Sequence, residues 1–189
     1  MADKINWYHS PIDRNKMREL TKRRNLPGLF QCIGMLLVYS ATLTLSVYFF
    51  TKQMWALMIV ACYIHSMFHG FIGMEASVHE LSHGTAFKSK RLNEFFYRLF
   101  SFLSWNNPVH FRYSHTGHHL LTVHKGLDKE VILEPHPLNF WTYFQWITFD
   151  WKKFKMIMVP NIAHFFGKGD VDVFFWDPLF EKDDPHRKQ

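Results

Sequence analysis

Cysteine is almost absent from this chain, with two copies in 189 residues. Cys32 and Cys62 both lie inside uncharged apolar runs, so a disulfide framework is not indicated and packing is their expected role. The first 24 residues also lack an apolar core with a small-residue cleavage site, so no cleaved targeting segment is expected. Sequence repeats and low-complexity tracts are absent too, and the length fits one domain.

Charged side chains are missing from two long stretches. Residues 25–51 and 53–74 contain no Asp, Glu, Lys or Arg, and only Lys52 separates them. Each stretch is long enough to cross a bilayer as a helix and is apolar around most of its circumference. Because the link is so short, the two helices should form an antiparallel hairpin. We therefore predict an all-α integral membrane protein with a transmembrane hairpin over residues 25–78; the alternative is a buried helical hairpin of a soluble protein.

Acidic residues are outnumbered by basic ones, 16 to 22, which gives a net charge of +6. Nucleic acid is one possible partner, but the basic residues flank the apolar stretches, where anionic lipid headgroups are the simpler partner. Seven lie before the hairpin, one lies within it and four lie in the segment that directly follows it: Lys4, Arg14, Lys16, Arg18, Lys22, Arg23 and Arg24; Lys52; Lys88, Lys90, Arg91 and Arg98. This asymmetry predicts that both termini, and the histidines after the hairpin, are cytoplasmic.

Histidine is in excess, with 13 copies, and five of them form two clusters. His79 and His83 lie four residues apart, so on a helix both rings leave the same face. His115, His118 and His119 have the spacing i, i+3, i+4, which again places the rings on one face. Neutral imidazole is a general ligand of divalent transition metals. The two clusters therefore predict a metal centre, with chance clustering in a histidine-rich chain as the alternative.

The segments around these histidines resemble a known family. VHELSHGTAF, then FRYSHTGHH, then the acidic GLDKE are similar to the first two histidine boxes of the membrane-bound fatty acid desaturase superfamily, and the resemblance covers residues 29–166. Those enzymes are non-haem di-iron proteins that use O2 and two electrons to attack an unactivated C–H bond of a lipid chain. The resemblance implies an O2-dependent fatty acid desaturase whose irons are held by His79, His83, His115, His118 and His119.

The same resemblance implies a lipid acyl substrate and an electron donor of the ferredoxin, rubredoxin or cytochrome b5 type. Hydroxylases and ketolases of the superfamily share these ligands, so hydroxylation is an alternative to desaturation. The family also has a third box, of the HxxHH kind, after a second membrane hairpin, and this sequence contains neither. We therefore expect an incomplete desaturase domain that binds fewer than two irons per chain and is inactive by itself. A non-catalytic metal-binding fragment is the corresponding alternative.

The first box also satisfies the pattern H-E-x-x-H of zinc metallopeptidases. There the two histidines hold zinc, and Glu80 would be the general base. Such a site gives no reason for the three histidines of the second box. Replacing Glu80 by Gln should abolish hydrolysis in a peptidase and only weaken a di-iron oxygenase.

Polar residues near the boxes are candidates for supporting roles. Metal-bound imidazoles donate their second N–H to carboxylates or carbonyls, so Glu80 and Asp128 are expected to hold the ligating rings. Glu130 is a weaker candidate, because a solvated surface charge explains it as well. Further candidates are His124, His136 and His164 as additional ligands, and Arg112 as the partner of an acid or of a substrate headgroup.

His65 and His69 lie within the second apolar stretch. On one continuous helix they would share a face with His79 and His83, within an arc of about 80°. His65 would then lie about 27 Å from His83, too far to share a metal. An interhelical hydrogen bond is their expected role, and lining of a lipid or proton path is the alternative.

The remaining segments complete the predicted organisation. Residues 87–104 are typical of an amphipathic helix at the membrane interface, and the aromatic run at 139–159 indicates a second interfacial helix. The predicted order is a basic cytoplasmic arm (1–24), the hairpin (25–78), the metal-binding boxes (79–137), an interfacial helix (138–166) and a polar tail (167–189).

Overall fold

Helices are the only regular secondary structure in the described residues, which are 11–73, 76–122, 124, 128, 139–149 and 151–167 of a computed structural model. The predicted all-α class is confirmed for this part of the chain. The chain divides into two units, Met1–Asn106 and Asn107–Gln189.

The first unit begins with a short helix and a long helical hairpin. α1 (Arg14–Leu20) starts at Asp13, whose carboxylate accepts a hydrogen bond from the backbone N–H of Lys16. α2 (Asn25–Thr51) and α3 (Trp55–Ile72) are joined by residues 52–54 and pack against each other.

Both hairpin helices present apolar side chains outward. By length and composition α2 and α3 are able to cross a membrane, and few of their side chains are buried within the structure. Phe30, Ile59 and Tyr63, for example, are 83%, 63% and 65% exposed. A core helix of a soluble protein would bury its apolar face against its neighbours. The predicted hairpin is therefore present as two candidate membrane-spanning helices.

Polar contacts join the two hairpin helices. Thr42 Oγ1 lies 2.9 Å from His65 Nδ1, and Tyr39 Oη lies 3.4 Å from His69 Nδ1. The Tyr39 ring also lies 4.6 Å from the His65 ring, and the buried Ser46 donates to the carbonyl of Thr42. The interhelical hydrogen bonds predicted for the two histidines are confirmed.

α3 ends earlier than the sequence suggests. Its last residue is Ile72, and Gly73 leaves the helical conformation (φ −74°, ψ −147°). α4 (Ser77–Ser82) is preceded by a second non-helical residue (φ −144°, ψ −71°). The prediction of one continuous helix from His65 to His83 is wrong, because the backbone departs from helical geometry after Ile72. The histidines of the hairpin and those of the first box therefore lie on separate helices.

α5 (Lys90–Leu103) buries one face inside the first unit. Ser89 caps its first turn by accepting a hydrogen bond from the Leu92 backbone N–H. The helix packs against α4 and α3, and its buried residues are Asn93, Phe96, Tyr97, Phe100 and Ser101. The amphipathic helix predicted within residues 87–104 is confirmed, and its location at a membrane interface stays a prediction.

The described residues of the second unit form α6 (Pro108–Leu121), α7 (Phe140–Ile147) and α8 (Trp151–Phe165). The single interfacial helix predicted over residues 138–166 is therefore wrong as one element. The helix stops after Ile147, and the Thr148 hydroxyl bonds back to the Phe144 carbonyl at 2.5 Å, a contact that competes with regular helix geometry.

Several predictions fall outside the described residues. These are Glu130, His136, and the polar tail after Gly167. The aromatic side chains described on α7 and α8 are mostly exposed, with Trp141 at 70%. Their position at a membrane interface stays a prediction.

Gly28 lies where α2 meets the chain that leads into α5. A Cβ atom there would lie 2.8 Å from the Phe87 ring and 2.9 Å from the Ala86 carbonyl oxygen. Phe87 is 1% exposed, so it cannot move aside without losing its own packing. We expect Gly28→Val to lower the free energy of unfolding by about 1–3 kcal/mol, measured as a lower melting temperature in detergent. Gly34→Ala is the matched control in the same helix, because nothing lies within 4 Å of that position; equal melting temperatures for the two variants would contradict the expectation.

Candidate metal centre

The first histidine box lies on α4 and at its end. His79 is inside the helix, and His83 is its C-terminal cap with a right-handed helical backbone (φ −70°, ψ −14°). The predicted spacing is therefore kept, and the two ring centroids are 5.0 Å apart. His79 is half-buried and His83 is exposed.

α4 has six residues, too few to be stable by itself. Burial of Val78 (0% exposed) and Leu81 (2%) anchors it. The Leu81 carbonyl accepts two hydrogen bonds, from the Asn93 side-chain amide of α5 at 2.7 Å and from the Gly84 backbone N–H at 3.1 Å. Gly84 has a φ of +66°, the left-handed conformation with which glycine ends many helices. The end of α4 that carries His83 is thus held by a hydrogen bond from α5 and by the turn at Gly84.

No motif in the sequence indicates Asn93. The available signal is its place on the apolar face of α5, three residues before Phe96 and four before Tyr97. Buried side-chain amides need hydrogen-bond partners, so an Asn in such a face suggests a specific contact. Its partner, a carbonyl in the histidine box, is visible only in the structure.

The second box lies on α6, whose start is well defined. Pro108 occupies the first turn, where a missing N–H costs no hydrogen bond. The Asn107 side chain accepts hydrogen bonds from the backbone N–H groups of Val109 and His110, at 3.0 and 3.1 Å. α6 therefore begins at Pro108, and the second box begins two turns later.

The three imidazoles of the second box leave one side of α6. His115 Nε2 and His119 Nε2 are 3.0 Å apart. The His118 ring lies 5.8 Å from the His115 ring and 5.6 Å from the His119 ring. His115 is buried (7%) and stacks on Phe111 at 5.2 Å, whereas His119 is exposed.

Asp128 holds the His118 ring. Its carboxylate oxygens lie 2.8 and 3.0 Å from His118 Nδ1, and the Asp128 side chain is fully buried. Because a carboxylate can only accept, Nδ1 carries the proton and the lone pair of a neutral ring is on Nε2. This is the carboxylate–histidine contact expected from the sequence. That it orients the His118 ring for metal binding is a proposal.

Glu80 and His124 are placed differently from Asp128. Glu80 Oε1 lies 3.6 Å from His79 Nδ1, but its side chain is 67% exposed. His124 Nδ1 lies 3.2 and 3.1 Å from the carbonyl oxygens of Leu121 and Thr122, so this nitrogen closes the turn after α6. The Asp128 backbone N–H bonds to the His124 carbonyl, which helps to place the carboxylate.

The other predicted residues, Arg112, His136 and His164, do not belong to the histidines that could bind a metal among the described residues. Arg112 is half-buried on α6, and its carbonyl accepts a hydrogen bond from the Thr116 hydroxyl. His136 and the side chain of His164 lie outside the described residues.

Two histidines of each box, His79 and His83 in the first unit and His115 and His119 in the second, have ring nitrogens that could bind a metal ion. Each offers one ring nitrogen, a donor that suits iron, zinc or copper. Two nitrogens bound at a right angle to one ion, with bonds of about 2.1 Å, lie about 3.0 Å apart. The His115 and His119 nitrogens are 3.0 Å apart, a distance that a hydrogen bond between the two rings gives as well. The donor set fits a transition metal and does not select among these ions.

Two candidate membrane helices followed by helical boxes of imidazoles define a class, the membrane-associated histidine-box metalloproteins. Within that class the fatty acid desaturase family matches residues 53–183, and the chain belongs to this family. The matched segment contains both boxes and Asp128. No curated protein and no solved structure matches the chain. Members of the family are membrane-associated oxidoreductases that generally use iron, O2 and an electron donor on lipid acyl chains.

Replacing Asp128 by Asn tests the buried carboxylate. The amide keeps the size of the side chain but removes the charge that favours Nδ1–H and makes the ring a better ligand. We expect Asp128→Asn to weaken metal binding roughly 10- to 100-fold, measured by competition with a chelator. Glu80→Gln, the same kind of change at an exposed acid, should alter binding less than about threefold. Equal losses in the two variants would show that the burial of Asp128 has no special effect.

Proposed function

We propose that this protein is an O2-dependent desaturase of lipid acyl chains. In the complete enzyme, His79, His83, His115, His118 and His119 would be five of the ligands of a non-haem di-iron centre. The observation that carries the proposal is the family match over residues 53–183, which includes both histidine boxes. The geometry of each box supports it, because the rings of a box share one side of a helix.

The role of these residues is to hold and orient the metal. Iron bound there would supply the O2 chemistry: O2 takes two electrons and two protons from donor and solvent, and two hydrogen atoms from neighbouring carbons, leaving two waters and a double bond. Neutral imidazoles add no negative charge, so the charge of oxidised iron is left uncompensated, which favours a strongly oxidising centre. Asp128 would keep the His118 ring oriented, with Nε2 available as ligand.

The hairpin would place this chemistry beside its substrate. α2 and α3 expose apolar side chains along their length, as a membrane-inserted hairpin does. The basic residues at the open end of the hairpin support a cytoplasmic location for that end and for the first box that follows it. Electron donors of the proposed kinds are found on that side.

A zinc peptidase that uses H-E-x-x-H is disfavoured by the family match. Hydroxylation or ketone formation by the same ligands remains within the family, since these outcomes differ only after the first hydrogen is removed. The identity of the product separates them: loss of two hydrogens for desaturation, gain of oxygen for the others.

Metal analysis of the purified chain tests the proposal directly. We expect iron as the bound metal and lower iron content after single alanine changes at any of the five proposed ligands, because each supplies one bond to metal. His136→Ala and His186→Ala, which belong to neither box, are the controls and should keep wild-type iron. Equal iron content in all seven variants would remove the ligand assignment, and zinc with peptide hydrolysis lost in Glu80→Gln would replace the desaturase by a peptidase.

Topology is tested with reporter fusions. A reporter inserted at Lys52 and one fused after Gln189 should report opposite sides of the membrane, with Gln189 cytoplasmic, because positive charge concentrates at the open end of the hairpin. An external Gln189 reporter would contradict the cytoplasmic placement of the boxes.

A further inference from the structure

Two basic segments that are far apart in the sequence lie side by side in the first unit. Residues 14–24 comprise α1 and the link to α2, and residues 88–91 comprise the end of the preceding link and the first two residues of α5. Their exposed cations define the basic surface: Arg14, Arg18, Lys22, Arg23, Arg24, Lys88, Lys90 and Arg91.

Hydrogen bonds connect the two segments. The Arg23 guanidinium donates to the Gly84 carbonyl at 3.1 Å. The Ser89 backbone N–H donates to the Asn25 side-chain oxygen at 2.8 Å. These contacts span more than sixty positions of sequence, so the folded structure itself assembles the basic surface.

Core packing fixes this arrangement. Gly28, at the start of α2, is approached so closely by Phe87 that a Cβ would lie 2.8 Å from the ring. Phe87 is buried and stacks on Phe96 of α5 at 5.5 Å. Residues 23–28 and 84–89 therefore cannot separate without opening the core of the unit, and α1 precedes this junction in the chain.

The described acidic side chains do not neutralise the positive charge of this surface. Its eight cations form no ion pair within the described part of the chain. The two acids of residues 11–28 have other contacts: Asp13 caps α1, and Glu19 pairs with Lys16 at 3.5 Å. A fixed cluster of like charges favours a multivalent anionic partner.

Exposed apolar side chains are mixed with these cations. α1 buries none of its residues, and Met17, Leu20 and Leu26 are 40%, 71% and 79% exposed. Met17 and Leu20 share one side of α1, with Arg14 and Arg18 beside them. A soluble acidic protein would satisfy the cations and leave the leucines in water, whereas the lipid interface accommodates both.

We propose that the basic surface binds the phosphate headgroups of anionic phospholipids and holds α1 in the membrane interface. The proposal uses the membrane placement of α2 from the proposed function and is independent of the metal centre. α2 begins at Asn25, directly after the basic segment, so the surface would lie at headgroup level if α2 spans the bilayer. Each cation near an anionic leaflet strengthens binding roughly fivefold, so several together give a marked lipid preference.

Native mass spectrometry of the full chain measures that preference. The protein is reconstituted in nanodiscs that contain equal amounts of phosphatidylcholine and phosphatidylglycerol, and the lipids that stay bound after release are counted. We expect phosphatidylglycerol to be enriched at least about tenfold over phosphatidylcholine, and the enrichment to fall at high salt. Added inorganic phosphate should not displace the lipid, which separates a headgroup site from a free phosphate site.

Two double variants, one in residues 14–24 and one in residues 88–91, test whether both basic segments contribute to lipid binding. Arg14→Gln with Arg18→Gln, and Lys90→Gln with Arg91→Gln, should each lower the enrichment several-fold, and the combined variant, which keeps four cations of the surface, should lower it further than either. Lys16→Gln with Glu19→Gln is the matched control on α1, because it removes an ion pair and leaves the net charge unchanged. All these side chains are exposed, so unchanged melting temperatures should accompany the loss.

Three outcomes would overturn the proposal. One is equal retention of the two lipids by the wild-type chain. The second is full enrichment in the combined variant. The third is tight binding of polyglutamate to the protein in neutral nanodiscs without any phosphatidylglycerol preference, which would assign the surface to an acidic protein. Iron content is unaffected by any of them, so a failure here is distinguishable from a failure of the proposed metal centre.

Discussion

The placement of a short helix governs the first half of the proposed site. α4 carries the first box on six residues, and helices of that length are not stable without tertiary contacts. Its position therefore depends on buried Val78 and Leu81 and on the Asn93 amide that binds the Leu81 carbonyl. α5 therefore does more than cover a surface: it packs against α4 and holds the first box in place.

The second box uses a different physical solution. α6 is more than twice as long as α4, and Asn107 and Pro108 define its start, so its histidines are positioned by regular helix geometry. What the helix alone cannot define is the rotation of each ring. Phe111 stacks on His115 and Asp128 holds His118, and these contacts limit the orientations available to both rings. Preorganised rings lose less freedom when they bind an ion.

The sequence predicted those features that rest on local pattern. The uncharged stretches indicated the hairpin, the spacing of the histidines indicated their shared helix faces, and the acidic segment after the second box contained the partner of His118. The family itself followed from the two boxes.

The failures concern backbone geometry and tertiary contacts that a pattern of apolar and aromatic residues does not encode. The apolar pattern runs through Gly73, and a glycine within an apolar run is only a weak local signal for the end of α3 at Ile72. The division between α7 and α8 at Thr148 is equally invisible to a pattern of aromatic residues. Asn93 looked like one polar residue among many, because its partner lies on another helix.

The two hydrogen bonds between α2 and α3 also have a mechanical consequence. Thr42 pairs with His65, and Tyr39 pairs with His69. On each helix the two paired residues are about one helical turn apart. Sliding α3 along α2 by part of a turn would break both bonds at once, and a bilayer offers no water to replace them. The two hydrogen bonds therefore favour a single axial position of α3 relative to α2, and this position is the setting of the hairpin. Since α4 follows α3 after only a few residues, in the proposed membrane enzyme that setting would determine the distance of the first histidine box from the middle of the membrane, and hence which carbons of a lipid chain it could reach.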